Sequence, residues 1–176
     1  MQIEVRPGAL YFLKGKEDGR VKDLVAGLRS AGYRWMVVSA RSLELVQNDL
    51  EGPVDCILTL TESVGQDSVD PQNLMVLSDT ITKFIENGGR PARVIEDLEL
   101  LKEKNEFPRI LRLVGFIYES LAINRGIGFI MMDPRSWDSR ETAHLSKEGS
   151  MVEEKDRLEL RPLHPRTSGI HPSQNV

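Results

Sequence analysis

The chain has 176 residues, a net charge of -4, an apolar fraction of 40% and a charged fraction of 28%. That is enough chain for one full-sized core, in proportions ordinary for a globular protein. The acidic balance argues against nucleic acid as the main partner, because such binding needs clustered cations, and no stretch approaches the ~18 consecutive apolar residues of a membrane span. Met1 to Arg6 lacks the apolar run of a signal peptide, and the single cysteine, Cys56, can form no internal disulfide. Both point to a cytoplasmic protein, with Cys56 read as a buried, inert thiol in the run Cys56-Ile57-Leu58.

In chain order, Ala9 to Leu13 reads as a first buried strand, and Val21, Leu24, Val25 and Leu28 recur at helical spacing until Gly32 closes the helix. Trp35 to Val38 gives a second strand, followed by a short helix over Leu43 to Val46 capped by Ser42; Val54 to Leu60 gives a third strand. Asp70-Pro71 reads as a helix start, with Leu74, Leu77, Ile81, Phe84 and Ile85 on one face and Asn87-Gly88-Gly89 as the stop. Ala92 to Ile95 is a fourth strand, and a short helix covers Leu98 to Lys104. Phe107-Pro108 opens the longest helix, whose extra apolar residues Leu113 and Phe116 suit a helix covered on two sides. Ile127 to Met132 is a fifth strand, Ser139 caps a helix through Leu145, and Leu158 to Leu160 adds an edge strand. Alternating strands and helices imply an α/β fold: one mainly parallel sheet with helices on both faces, in three layers. One domain is expected over 1–161, and the aperiodic, proline-containing stretch 162–176 is expected to be a disordered tail.

The turn after the first strand, Gly15 to Asp23, stands where a phosphate-binding loop would stand. A competent loop reads G-x-x-x-x-G-K-[ST]. Counting from Gly15, Arg20 replaces the second glycine, Val21 the lysine and Lys22 the magnesium-binding hydroxyl. Glu17 and Asp18 place negative charge where a triphosphate would lie, which Arg20 and Lys22 offset in part. The turn therefore reads as an ordinary solvated connection, with Gly15, Gly19, Arg20 and Lys22 as the residues of a weak anion site if one exists.

The ends of parallel strands gather on one edge of a sheet, where open α/β folds place ligands. Arg41, Thr61, Glu96, Asp97 and Asp133 fall there. Glu96 and Asp97 suit either magnesium or the positive end of the helix that follows. Arg41 suits either a ligand carboxylate or phosphate, or a structural ion pair with Asp133 or Glu96. His144, His164 and His171 have no metal-ligand spacing, and no nucleophile stands with a base partner.

Several phrases together resemble the archaeal family of unknown function 835. They are Gly8 to Leu13; Val38-Ser39-Ala40-Arg41; Leu60-Thr61 followed by Val69, Pro71 and Leu74; Val94 to Leu101 with Asn105 and Phe107; and Met132-Asp133-Pro134 with Glu141 and Leu145. The likeness runs from about Gly8 to Glu154. Here Glu96-Asp97 stands where the family usually has aspartate and glycine, and Leu43 where a proline often follows the arginine. The family has no settled activity, but its members often adjoin sensory or signalling modules, and the resemblance implies that context. The layout is similar, more distantly, to RecA-like and KaiC-like ATPases, whose loop lies at Gly15 to Leu24 and whose second acid lies at Glu96 or Asp97. The expectation is a RecA-like scaffold with a degenerate loop: a non-catalytic regulatory or protein-interaction domain in archaeal signalling, without cofactor or metal. Its expected partner is a protein such as a sensor kinase. The alternatives are a nucleotide or anion sensor, or an ATPase-like enzyme, using the strand tips; pairing of two copies through the long helix is a third reading.

Overall fold

The computed structural model describes residues 1–15 and 19–160. The expected tail, 162–176, and the loop residues Lys16, Glu17 and Asp18 lie outside the described residues. The elements are β1 (Gln2–Val5), β2 (Ala9–Lys14), α1 (Arg20–Ser30), β3 (Tyr33–Ser39), α2 (Leu43–Leu50), β4 (Cys56–Leu60), β5 (Ser68–Val69), α3 (Leu74–Glu86), β6 (Arg90–Ile95), α4 (Leu98–Lys104), α5 (Phe107–Asn124), β7 (Ile127–Met132), α6 (Ser139–Leu145), β8 (Ser150–Val152) and β9 (Arg157–Leu160). Seven strands form one sheet in the order β5-β4-β3-β6-β7-β2-β8. Every pairing in it is parallel.

Period-two alternation sorts each strand's side chains onto two faces. Leu10 and Phe12 of β2, Met36 and Val38 of β3, and Ile95 of β6 join the core beneath α3, α4, α5 and α6. Tyr11 and Leu13, Trp35 and Val37, and Ala92 and Val94 join the opposite core beneath α1 and α2. Both faces of the central strands are therefore apolar, which is why those strands read as continuous hydrophobic runs. The three-layer α/β expectation holds.

Several boundaries differ from the sequence reading, each for a local reason. α3 begins at Leu74, not at Asp70-Pro71: the Asn73 side chain accepts from the Val76 N–H, while the Asp70 carboxylate accepts from the Gln72 N–H in a turn of its own. Asp138 caps α6 through a capping box with Glu141, so Ser139 is the first helical residue. β1, β5 and β8 are too short to carry a periodic signal. The expected edge strand near Leu158 forms, but it pairs with β1 in a separate two-stranded sheet. Cys56 is half-buried, and desolvation, then the charges of Asp67 and Asp55, push its thiol up, away from the reactive thiolate.

The link from β8 to β9 turns on Asp156. Its carboxylate accepts from the Glu153 N–H at 3.0 Å and lies 3.2 Å from the amino group of Met1. The Glu153 bond is the main cause holding Asp156 below the ordinary aspartate range, followed on the stabilising side by the amino group and Lys155. A carboxylate held low contributes stability that is present above its unfolded pKa and is lost as pH falls through the folded one. Asp156→Asn is therefore expected to lower the urea midpoint at neutral pH and to converge with the parent chain well below about pH 4. Two pH profiles running parallel down to strong acid would contradict this assignment.

Candidate functional site at the strand tips

The carboxyl ends of β2, β3, β6 and β7 converge, because parallel strands of similar length finish together. A cavity of about 480 Å³ opens there, lined by Gly15, Arg41, Glu96, Asp97, Glu99, Met131, Met132 and Asp133. Of the expected site residues, Gly15, Arg41, Glu96, Asp97 and Asp133 are thus brought together. Gly15 follows β2 at φ +121°, a conformation suited to glycine, and its N–H donates to the Met132 carbonyl.

Arg41 grips Glu96 with two parallel bonds, Nε to Oε2 at 3.0 Å and Nη2 to Oε1 at 2.7 Å. Its Nη1 reaches the Asp49 carboxylate on α2. The Ser39 hydroxyl, at the end of β3, donates to Glu96 Oε2 at 2.7 Å and accepts from the Arg41 N–H at 3.0 Å. Of the two expected pairings for Arg41, the one with Glu96 forms. Asp97 precedes α4 but its carboxylate does not cap that helix; Oδ2 accepts from the Ala40 N–H at 2.7 Å. From the N-cap position of α4, the carboxylate stitches the ends of β3 and β6 together.

Asp133 accepts two bonds from the Arg135 guanidinium, at 3.1 and 2.9 Å. Glu99 was missed in the sequence, yet its Oε1 accepts from the Asp133 N–H at 2.7 Å and from the Trp137 indole at 2.9 Å. Its place in the first turn of α4, three residues beyond Glu96, was the available signal. Lys102 then donates to the Ser136 carbonyl at 2.6 Å and to Glu141 at 2.8 Å, fixing the connection from β7 to α6.

The other expected residues stand elsewhere. Arg20 is not a lining residue; Nη1 donates to the Glu153 carbonyl at 2.8 Å and Nη2 to the Lys14 carbonyl at 2.9 Å, tying the end of β2 to the end of β8. Its guanidinium is directed at backbone carbonyls because β2 and β8 end beside the first turn of α1. Lys22 faces α2 and pairs with Glu51 at 2.7 Å. Gly19 precedes α1 as an exposed turn residue, and the Thr61 hydroxyl accepts from the Ser63 N–H beyond β4. Neither Gly19 nor Thr61 lines the cavity.

Electrostatically, the cavity sets the carboxylates of Glu96, Asp97, Glu99 and Asp133 against the guanidinium of Arg41. Like charge disfavours a polyphosphate there. Among the described residues, no group of three or more His, Cys, Asp or Glu side chains is disposed to hold a metal ion. Among them, too, no helix is long and apolar enough to cross a membrane.

Fold and tips together define an α/β protein with an all-parallel main sheet, in which one strand, β7, separates the strand leading to Gly15 from the strand leading to Glu96. The family model described as Protein of unknown function (DUF835) matches residues 14–148. The chain belongs to that family. Among solved structures, that titled "Structure of C. elegans PCH-2" is similar at a TM-score of 0.46 and 13% identity, over 86% of this chain and 35% of that one. The chain thus spans about a third of the length of that protein. No curated protein matches the chain.

Proposed function

We propose that this is a non-catalytic regulatory or protein-interaction domain of archaeal signal transduction, built on a RecA-like scaffold whose phosphate site has been lost. One observation carries the reading: the carboxylate of Glu96, at the place of a magnesium-positioning acid, is held by two N–H groups of Arg41 and the hydroxyl of Ser39. A carboxylate so engaged has little remaining capacity for a metal-bound water. The degenerate loop supports the same reading, since the lysine and hydroxyl positions hold Val21 and Lys22. The signalling context and a protein partner such as a sensor kinase follow from the family resemblance. The alternative, a nucleotide or anion sensor or an ATPase-like enzyme, draws on the cavity beside Arg41. Its excess of carboxylates counts against an anionic ligand.

Calorimetric titration separates the two. With magnesium present, ATP, ADP and inorganic phosphate are each expected to bind more weakly than about 1 mM, leaving the heats of dilution. Micromolar binding of any of them, abolished by Arg41→Ala, would establish the alternative instead.

A further inference from the structure

We infer that the face formed by α3 and α5 is a self-complementary surface that pairs two copies of this chain about a two-fold axis close to Phe116. The proposal stands apart from the strand tips and does not depend on whether they bind a ligand.

Residues recurring every three or four positions share one stripe of a helix. On α5 that stripe is Arg109, Arg112, Phe116, Glu119 and Ile123, outside the buried row of Leu113, Ile117 and Leu121. Phe116 is 50% exposed and Ile123 74%, and across the groove Met75 of α3 is 80% exposed. Together they border a largely apolar cavity of about 660 Å³ between the two helices. Its lining includes Ser120, whose buried hydroxyl has no hydrogen-bond partner among the described residues.

The charges on this face are segregated by helix direction. Both helices return from the carboxyl to the amino ends of a parallel sheet, so they run side by side in the same sense. The Asn105 side chain, donating to the Pro71 carbonyl at 2.8 Å, ties their starting ends together. Arg109 and Arg112 therefore mark the amino end of the groove, and Glu86 and Glu119 the carboxyl end. Asp79, midway, is paired with Lys83 at 2.9 Å on its own helix. Among the described residues, Arg109, Arg112, Glu86 and Glu119 make no ion pair.

A surface with a positive half and a negative half is complementary to itself when inverted. Arg112 and Glu119 stand seven residues apart, about 10.5 Å along the helix, with their midpoint beside Phe116. A two-fold axis there sets Arg112 of one copy against Glu119 of the other, twice over, and brings the two Phe116 rings together at the centre. A partner of one uniform charge would meet like charge at one end. The face is roughly 27 Å long and two helix diameters wide, about 500 Å² per copy, so the dimer belongs to the small, reversible class of interfaces.

Sedimentation velocity and light scattering over a range of concentrations test this on the full chain. The parent chain is expected to dimerise with a dissociation constant in the micromolar range. Arg112→Glu and Glu119→Arg, both at exposed positions, are each expected to weaken dimerisation at least about tenfold while leaving the circular dichroism spectrum intact. Mixed in equal amounts, the two single variants are expected to pair with each other, because each symmetric contact then joins opposite charges. The double variant is likewise expected to recover the dimer. A chain that stays monomeric at every concentration leaves the groove to some other occupant and overturns the proposal. So does a dimer unmoved by either reversal, or a mixture no better associated than its components.

Discussion

Arg93→Met is expected to make the protein more stable, by about 1–4 kcal/mol, which for a chain of this size raises the melting temperature by several degrees. Arg93 lies in β6, the middle strand of the sheet, and is 1% exposed. Its register neighbours are Met36 on β3 and Gly128 on β7. The missing side chain of Gly128 makes the room: a Cβ there would lie 3.6 Å from Arg93 Nε and under 3 Å from methyl groups of Leu121 and Leu10. Among the described residues, none of the three guanidinium nitrogens has a hydrogen-bond partner. Burial alone pushes its pKa down to about 9, so the charge persists at neutral pH. A cation destabilised by burial weakens the fold fully below that value. The penalty eases above it, because the unfolded chain then holds the proton more tightly. Urea denaturation at pH 7 is the measurement, with Arg93→Lys as the control. Lysine keeps the charge and fills the slot less well, so it brings no gain. A methionine variant less stable than the parent would mean that the guanidinium is satisfied where it lies.

Much of this fold was legible because central parallel strands are buried on both faces and announce themselves as apolar runs. Trp35 to Val38 and Ile127 to Met132 are such runs, and both are strands in the structure. Short elements were not legible, since Ser68–Val69 and Ser150–Val152 gain their hydrogen bonds from β4 and β2, partners remote in sequence. The start of α3 was misplaced because Asp70-Pro71 carries the composition of a cap while Asn73 carries the geometry. Phe116 read as interior by helical period alone. Which stripe of a helix is covered depends on neighbours that one helix's period does not name.

At the strand tips, topology brought Arg41, Glu96, Asp97 and Asp133 together, but not Thr61, whose strand β4 lies one place further out, beyond β3. Spacing alone could not place Arg20 and Lys22. Arg20 and Lys22 start a helix, and their direction follows from the carbonyls of Lys14 and Glu153 and the carboxylate of Glu51. Glu99 went unnoticed because its partners, the Asp133 N–H and the Trp137 indole, lie more than thirty residues away. The acids at this edge thus divide their bonds among Arg41, Arg135, the Ser39 hydroxyl, backbone N–H groups and one indole, an arrangement that holds strand ends in place.

That arrangement makes Arg41 and Glu96 the pair whose disruption should be felt most at this edge. The Glu96 side chain is 10% exposed and that of Arg41 27%, so the pair is largely desolvated. Arg41→Ala leaves a nearly buried carboxylate with the Ser39 hydroxyl, beside three other acids, and is expected to destabilise the fold by about 2–4 kcal/mol. Glu96→Gln removes the charge but keeps the shape; Arg41 retains Asp49, and the expected loss is about 1–2 kcal/mol. The double variant removes the attraction and its unpaired remnant together, so it should lose about 1–2 kcal/mol less than the sum of the single losses. Added salt should recover part of the Arg41→Ala loss, because the repulsion it uncovers is among charges open to solvent through the cavity. Urea denaturation of all four chains, at low and at high ionic strength, measures both terms. Strict additivity would reduce this contact to an ordinary surface pair, and the case for a carboxylate already engaged would lose its footing.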